Sequence, residues 1–80
     1  MTIRIRLFAT MADSAGAHQL SLQLPDHATL ADVRPALERQ FPRLRFSQGT
    51  LLAVNQEYVE PARPLKDNDE VAIIPPVSGG

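Results

Sequence analysis

Eighty residues are enough for one small domain, and a chain of this length buries about 60% of its unfolded surface. Eight basic and nine acidic residues give a net charge of −1 with no run of either sign, which argues against a nucleic-acid-binding protein. The absence of cysteine excludes disulfides, thiolate metal ligands and cysteine nucleophiles. No apolar run approaches the roughly 20 residues of a transmembrane helix, and Arg4 and Arg6 interrupt the apolar N-terminal stretch as they would not in a signal peptide. We therefore expect a cytoplasmic protein.

The first third of the chain predicts two strands. Apolar side chains alternate with others from Ile3 to Phe8, which is the period-two pattern of a strand. A loop or short helical turn follows, and Gly16 is expected to take a positive φ near its end. A second alternating run covers residues 18–24 and is closed by Pro25. Two strands so close in sequence predict an antiparallel pair.

One main helix is predicted after this pair. Thr29 suits the N-cap position and Asp32 the N3 position of a weak capping box. Pro42 blocks continuation of the helix, and Pro35 lacks the N–H that would bond to the carbonyl of Ala31, so we expect a kink or a loosened first turn. The apolar stripe of this helix, at helical spacing, consists of Leu30, Val33, Leu37 and Phe41.

The remainder of the chain predicts two or three further strands. Leu51–Val54 is the first of them, and Asn55-Gln56 suits a tight turn from which Tyr58-Val59 would return as a strand. Asp67-Asn68-Asp69 predicts another turn. Val71–Ile74 is the last strand, and its apolar character is typical of a strand buried on both faces.

This order of elements predicts an α+β fold of the β-grasp type. A mixed sheet of four to five strands would carry one main helix packed across it, with the last strand parallel to the first in the middle of the sheet. Residues 1–76 form the predicted β-grasp domain, and residues 77–80 form an extended C-terminal Gly-Gly tail.

The side chains offer no recognisable active site. His18 and His27 share no common face and no cysteine joins them, so we expect no metal site. Asp67, Asp69 and Glu70 lack the rest of a calcium-loop pattern and are better explained as an acidic turn. No serine has the flanking signature of an activated nucleophile, and no phosphate-binding glycine motif is present.

The last eight residues, IIPPVSGG, carry the strongest functional signal. Pro75-Pro76 restrict the backbone to an extended conformation, so the tail should leave the sheet in a fixed direction. Gly79 and Gly80 remove all side-chain bulk, so the tail could thread a narrow channel and present its carboxylate to another protein's active site. Such a carboxylate reacts only after activation, typically by attack on the α-phosphate of ATP. The alternative is an ordinary glycine-rich terminus.

Three segments of the chain resemble the small subunit of molybdopterin synthase, a family of MoaD-type sulfur carriers with a ubiquitin-like fold. They are LFATMADSAG at residues 7–16, LLAVNQEYV at 51–59 and PLKDNDEVAIIPPVSGG at 64–80. Together they extend the resemblance over essentially the whole chain.

The resemblance implies a sulfur carrier that is not itself an enzyme. A MoeB-like activating enzyme would adenylate Gly80 with ATP and Mg, and a sulfur donor protein would convert the adenylate to a thiocarboxylate. The tail would then enter the MoaE-like large subunit of a heterotetrameric synthase, which holds the active site, and donate sulfur to the cyclic pterin precursor. This chain itself would bind no cofactor, no nucleic acid and no membrane.

The resemblance also assigns roles to individual residues. Gly80 would be adenylated and thiocarboxylated, Gly79 would give clearance, and Val77 and Ser78 would line the channel. Phe8 and Tyr58 are candidates for an apolar patch on the exposed sheet face, with ordinary packing as the alternative. The full set of implied partner-binding residues is Phe8, Tyr58, Ile74, Pro75, Pro76, Val77 and Ser78.

The chain departs from the family pattern at three positions. Ala12 stands where a basic residue is common, so one charged contact with a partner is in question. Asn68 stands where glycine is usual, and asparagine can adopt the same left-handed geometry. Pro35 is unusual in the helix.

Other functions share the fold and the tail. A thiocarboxylate could serve thiamin, cysteine or tRNA thiolation pathways. Gly80 could instead form isopeptide bonds to target lysines, as in a ubiquitin-like protein modifier. The last alternative is an interaction domain without terminal chemistry, in which Gly79 and Gly80 would be dispensable.

Overall fold

A computed structural model describes residues 1–44, 46 and 49–76 of the chain, apart from the side chains of Ala9 and Thr10. Four strands form one sheet in the spatial order β2-β1-β4-β3 within this part of the chain. β1 and β4 are parallel and the other two pairs are antiparallel, which gives the predicted mixed sheet. The elements in chain order are β1 (Thr2–Leu7), α1 (Ala9–Ala15), β2 (Gln19–Gln23), a 3₁₀ turn (Leu30–Asp32), α2 (Val33–Gln40), β3 (Leu51–Val54) and β4 (Glu70–Ile74).

The core lies between one face of the sheet and α2. Alternate residues of the central strands point into it, and Ile5 of β1 is paired with Val71 of β4. From the helix side, the predicted apolar stripe supplies Val33 and Leu37, both fully buried. Phe41 is only partly buried at the margin of the core. The predicted position of β4 in the middle of the sheet, parallel to β1, is confirmed.

The start of α2 confirms the predicted loosened first turn. The Thr29 N–H donates to Asp32 Oδ2 at 2.8 Å, which is half of the predicted capping box. The turn that follows is 3₁₀, and α-helical geometry begins only at Val33. Pro35 is therefore the third residue of α2. The first four N–H groups of an α-helix have no intrahelical partner, so the missing N–H breaks no helical bond.

The prediction that Tyr58-Val59 returns as a strand is wrong. The turn at Asn55-Gln56 has positive φ values of 48° and 70°, but in the described part of the chain it is followed only by isolated bridges, between Val54 and Glu57 and between Thr29 and Pro64. The chain then crosses to the start of the 3₁₀ turn. There the N–H groups of Leu30 and Ala31 donate to the carbonyls of residues 63 and 61, at 3.0 and 2.9 Å. These carbonyls are satisfied by the helical segment and not by a fifth strand.

The prediction that the last strand is buried on both faces is also wrong. Val71 and Ile73 are fully buried, whereas Ala72 and Ile74 on the opposite face are half-buried. The main helix covers one face of the sheet only, so the other face of β4 stays open to an incoming molecule. This open face contains the candidate site.

Candidate partner-binding site

Strand pairing places one arginine and two alanines side by side in a row across the open face. Arg6 of β1 is paired with Ala72 of β4, and Ala72 is paired with Ala53 of β3. Paired residues project from the same face of a sheet, so these three side chains lie side by side. The two alanines leave space between the larger groups on either side.

That space is the open-face groove, with a volume of about 470 Å³. Phe8 follows β1 and Tyr58 follows the β3 turn, and their side chains are 40% and 67% exposed. Exposed aromatic side chains around a concave apolar surface are typical of protein-binding sites. The groove is lined by Arg6, Phe8, Ala53, Gln56, Tyr58, Glu70, Ala72, Ile74 and Pro75. Four of the seven predicted partner-binding residues, Phe8, Tyr58, Ile74 and Pro75, are thus brought together.

One end of the groove is charged. Glu70 Oε1 lies 3.7 Å from Arg6 Nη1, and Glu70 Oε2 lies 4.0 Å from Arg4 Nη1. The Arg6 guanidinium also lies 5.7 Å from the centre of the Phe8 ring, which suits a cation–π contact. Glu70 is largely covered while both arginines are about half exposed. The groove therefore offers an apolar surface with guanidinium donors at its margin.

The remaining predicted site residues lie elsewhere. Pro76 is exposed and does not line the groove. Val77, Ser78, Gly79 and Gly80 lie outside the described residues, so the roles given to them stay predictions. The last two described residues, Pro75 and Pro76, directly follow β4, which is a central strand, and Pro75 lines the groove.

Two of the three departures from the family pattern now have a structural account. Ala12 is 4% exposed and packs in the core, so it makes no surface contact in this chain. Asn68 has a φ of 70°, which confirms the expected left-handed geometry.

The carboxylates of the acidic turn accept hydrogen bonds from backbone N–H groups, one within the turn and one at the start of β1. Asp69 Oδ2 accepts the Lys66 N–H at 2.8 Å, and Asp67 Oδ1 accepts the Thr2 N–H at 2.7 Å. The interpretation of these residues as a turn therefore agrees with the structure. In residues 1–44, 46 and 49–76, no three potential ligand side chains cluster around a possible metal position. The helices of the same segments are all too short to cross a bilayer.

Five of the nine residues that line the open-face groove were not predicted from the sequence. Among them are Arg6, Glu70 and Ala72, each of which is next to an inward-facing residue, Ile5 or Val71. Because side chains alternate between the two faces of a strand, this pattern is the signal that could have placed all three on the open face. A second groove of about 610 Å³ lies between the 3₁₀ turn and β3 and was not anticipated. Its lining combines three separate segments and includes Leu30, Ala31, Arg34, Leu51, Leu52, Tyr58, Val59 and Pro61.

Comparison with known proteins assigns the chain to a family. The model of the ThiS family matches residues 5–80. The chain belongs to the ThiS family. This ThiS-family chain is 41% identical to the molybdopterin synthase sulfur carrier subunit of Chlamydomonas reinhardtii, with all of both chains covered. It is 40% identical to the protein of the same name from Dictyostelium discoideum, over 96% of this chain and 94% of the relative.

Solved structures support the fold of the ThiS-family chain. The crystal structure of SAMP1 (small archaeal modifier protein 1) from Haloferax volcanii superimposes with a TM-score of 0.84 at 26% identity, and all of both chains is covered. The predicted resemblance to MoaD-type carriers and the predicted ubiquitin-like β-grasp fold are both confirmed.

Proposed function

We propose that this chain is the sulfur carrier subunit of a molybdopterin synthase and that it carries sulfur as a thiocarboxylate on Gly80. The observation that carries the proposal is the full-length likeness to relatives with that name, at 41% and 40% identity. The absence of cysteine supports it, because the chain has no thiol side chain on which it could carry sulfur.

The proposed chemistry takes place at the terminal carboxylate. A carboxylate oxygen of Gly80 attacks the α-phosphorus of ATP on an activating enzyme, pyrophosphate leaves, and an acyl-adenylate forms. A sulfur donor protein then supplies sulfur at the oxidation level of sulfide, which attacks the Gly80 acyl carbon; a C–S bond forms, the bond to AMP breaks, and the terminus becomes a thiocarboxylate. The thiocarboxylate is a stronger nucleophile than the carboxylate, so its sulfur can form a C–S bond to a pterin precursor. Hydrolysis of the resulting thioester by water breaks the bond to the Gly80 acyl carbon, leaves the sulfur on the pterin and restores the carboxylate. ATP and Mg belong to the activating enzyme in this scheme.

The chain contributes delivery and docking, and the active site lies on the large subunit. In this scheme the open-face groove receives an apolar segment of the large subunit while the tail enters that subunit's catalytic channel. Phe8, Tyr58, Ile74 and Pro75 give the groove its apolar surface, and the guanidinium group of Arg6 gives it donors at one end. A cytoplasmic location is part of the same proposal.

The test is the intact mass of the chain, purified without thiols from cells that make molybdenum cofactor. We expect a C-terminal peptide heavier by the replacement of one oxygen with sulfur. A chain lacking Gly80, and a chain extended by one residue, should fold normally and transfer no sulfur, because the reactive carbon is displaced. Sulfur transfer by the extended chain without trimming would refute the mechanism. So would an unmodified mass after incubation with activating enzyme, ATP and a sulfur donor.

A protein modifier is the second candidate. The observation in its favour is the likeness to SAMP1, whose name describes a modifier, at a TM-score of 0.84. In this case the adenylated terminus would acylate a lysine amine and release AMP. Denaturing gels of a tagged chain should then show conjugates of higher mass that depend on Gly80. Conjugates without any thiocarboxylate would decide for the modifier, and a thiocarboxylate without conjugates would decide for the carrier.

A further inference from the structure

The pairing between β3 and β4 ends where two prolines follow β4. Leu51 is paired with Ile74 at the end of the ladder. Pro75 and Pro76 have no N–H to donate, so backbone hydrogen bonds cannot hold these residues as they hold the strand. Side-chain packing therefore contributes to their position. Pro75 packs in the open-face groove, which leaves Pro76 to be accounted for.

Pro76 packs against Gly49. These residues lie two positions beyond Leu51 and Ile74, the last pair of the β3–β4 ladder, on the segments that extend the two strands. A Cβ built on Gly49 would lie 3.4 Å from Pro76 Cβ, the close end of ordinary van der Waals contact, and 4.0 Å from Pro76 Cγ. The proline ring therefore lies against the space that any side chain at position 49 would occupy.

The backbone of Gly49 also requires glycine. Its φ is 91°, a conformation that L-residues rarely adopt. An L-alanine here must either stay strained or rotate its backbone, and rotation moves the methyl group that already touches Pro76. Gly16 is a matched reference, because its φ of 72° is similar and no atom lies within 4 Å of its own Cβ position.

We propose that Gly49 is a positioning residue for sulfur transfer, because it supports Pro76 and thereby sets the direction in which the tail leaves the domain. This inference rests on the proposed function. If the four residues beyond Pro76 are held extended in the partner's channel, they span at most about 14 Å, so a change in direction of about 10° at Pro76 would displace the terminus by about 2 Å. Misplacement of a reacting group by about 1 Å can lower a rate about 100-fold.

The test compares two alanines of opposite handedness at position 49. Total synthesis gives the chain with a thiocarboxylate at Gly80 and with either L-alanine or D-alanine in place of Gly49. D-alanine accepts a positive φ and does not place its methyl group toward Pro76. Single-turnover sulfur transfer is measured with the large subunit saturating, and the Kd for that subunit is measured separately. Gly16→Ala is the control for backbone strain.

We expect Gly49→Ala to lower the single-turnover rate at least about tenfold with little change in Kd. D-alanine at position 49 should rescue the rate, and Gly16→Ala should keep it. Equal rates for Gly49→Ala and Gly16→Ala would overturn the inference. Equal losses with L- and D-alanine would overturn it as well, because handedness would then be irrelevant.

A measurement on the unmodified chain decides the contact even where a variant fails to fold. Nuclear Overhauser effects are expected between the Gly49 α-protons and the Pro76 ring protons, and their absence would refute the contact. If the wild-type thiocarboxylate transfers no sulfur while these effects are present, the proposed function fails and the contact stands. The two claims are therefore tested separately.

Discussion

Phe8 shows how one residue comes to lie on the functional face. It follows directly after β1, whose alternate residues Ile5 and Leu7 are buried, so its ring falls on the opposite side beside Arg6. A phenylalanine that is 40% exposed keeps apolar surface in water without contributing much to the core. We interpret that exposure as surface reserved for the large subunit.

Phe8→Ala should weaken binding to the large subunit about tenfold to one hundredfold, which is the range for truncation of a central aromatic residue in an interface. The free energy of unfolding should fall by about 1–2 kcal/mol, because more than half of Phe8 is covered in the folded chain. Isothermal titration calorimetry and urea unfolding measure the two quantities. His18→Ala truncates an exposed ring outside both grooves and is the matched control. Equal affinities for the two variants would show that the open-face groove is not the docking site.

The elements of this fold differ in how far they could be predicted. β1, β2 and α2 follow from local periodicity, and Pro35 was correctly linked to a loosened first turn because its effect on the helix is local. Tyr58-Val59 resembles a strand by composition, yet the neighbouring carbonyls bond to the start of the helical segment. That outcome depends on contacts about thirty residues apart in sequence, and no local pattern records it.

The candidate site shows the same division. The tail and its attachment to a central strand follow from the order of elements and from the residues IIPPVSGG. The floor of the groove depends on the register that places Arg6, Ala72 and Ala53 in one row, and register is set by the whole sheet. The contact between Gly49 and Pro76 depends on the same register. Sequence reasoning therefore found the aromatic residues of the groove but not its floor.

Two proline substitutions test the account of α2. Pro35→Ala should change the free energy of unfolding by less than about 1 kcal/mol, because the first turn of a helix needs no N–H from this position. Glu38→Pro should cost about 3 kcal/mol or more, because an N–H bond to the carbonyl four residues earlier is lost and the ring clashes with that carbonyl. Urea unfolding followed by circular dichroism measures both.

Glu38→Ala is the control for the second substitution. It removes the side chain whose carboxylate lies 3.9 Å from Arg34 but keeps the N–H, so it should cost no more than about 0.5 kcal/mol. A large gain of stability in Pro35→Ala would show that α-helical geometry begins before Val33 and that the 3₁₀ turn is not its true start, because alanine would then restore a helical N–H bond that proline lacks.

At the scale of the whole molecule, the fold separates stability from reactivity. The buried residues of the described chain run from Ile3 to Ile73, so the core closes before the two prolines and the tail. All side chains that are classed as buried there are apolar, and the charged groups lie on the surface. The molecule can therefore keep one face and one terminus for its partners without weakening the packing that holds β4 in place.

Two truncations test this separation. A chain ending at Pro76 should unfold at the same urea midpoint as the full chain, because residues 1–76 already contain the sheet, the helices and the core. It should still bind the large subunit through the open-face groove, less tightly because the tail is missing, and it should transfer no sulfur. Such a chain would also compete with the full-length carrier for the large subunit.

A chain ending at Glu70 loses nearly all of β4 and is expected not to fold. β4 contributes the buried Val71 and Ile73 and joins β1 to β3, and losing either buried side chain alone would cost about 2–5 kcal/mol. A domain of this length has a total stability of about 4–12 kcal/mol, so removal of both, with the loss of the pairing to β1 and β3, is comparable to all that is available. A lower midpoint for the chain ending at Pro76 would show that the tail stabilises the domain. A sulfur-loaded tail would then have to give up stabilising contacts with the domain before it could enter its partner. Stability and reactivity would therefore be coupled.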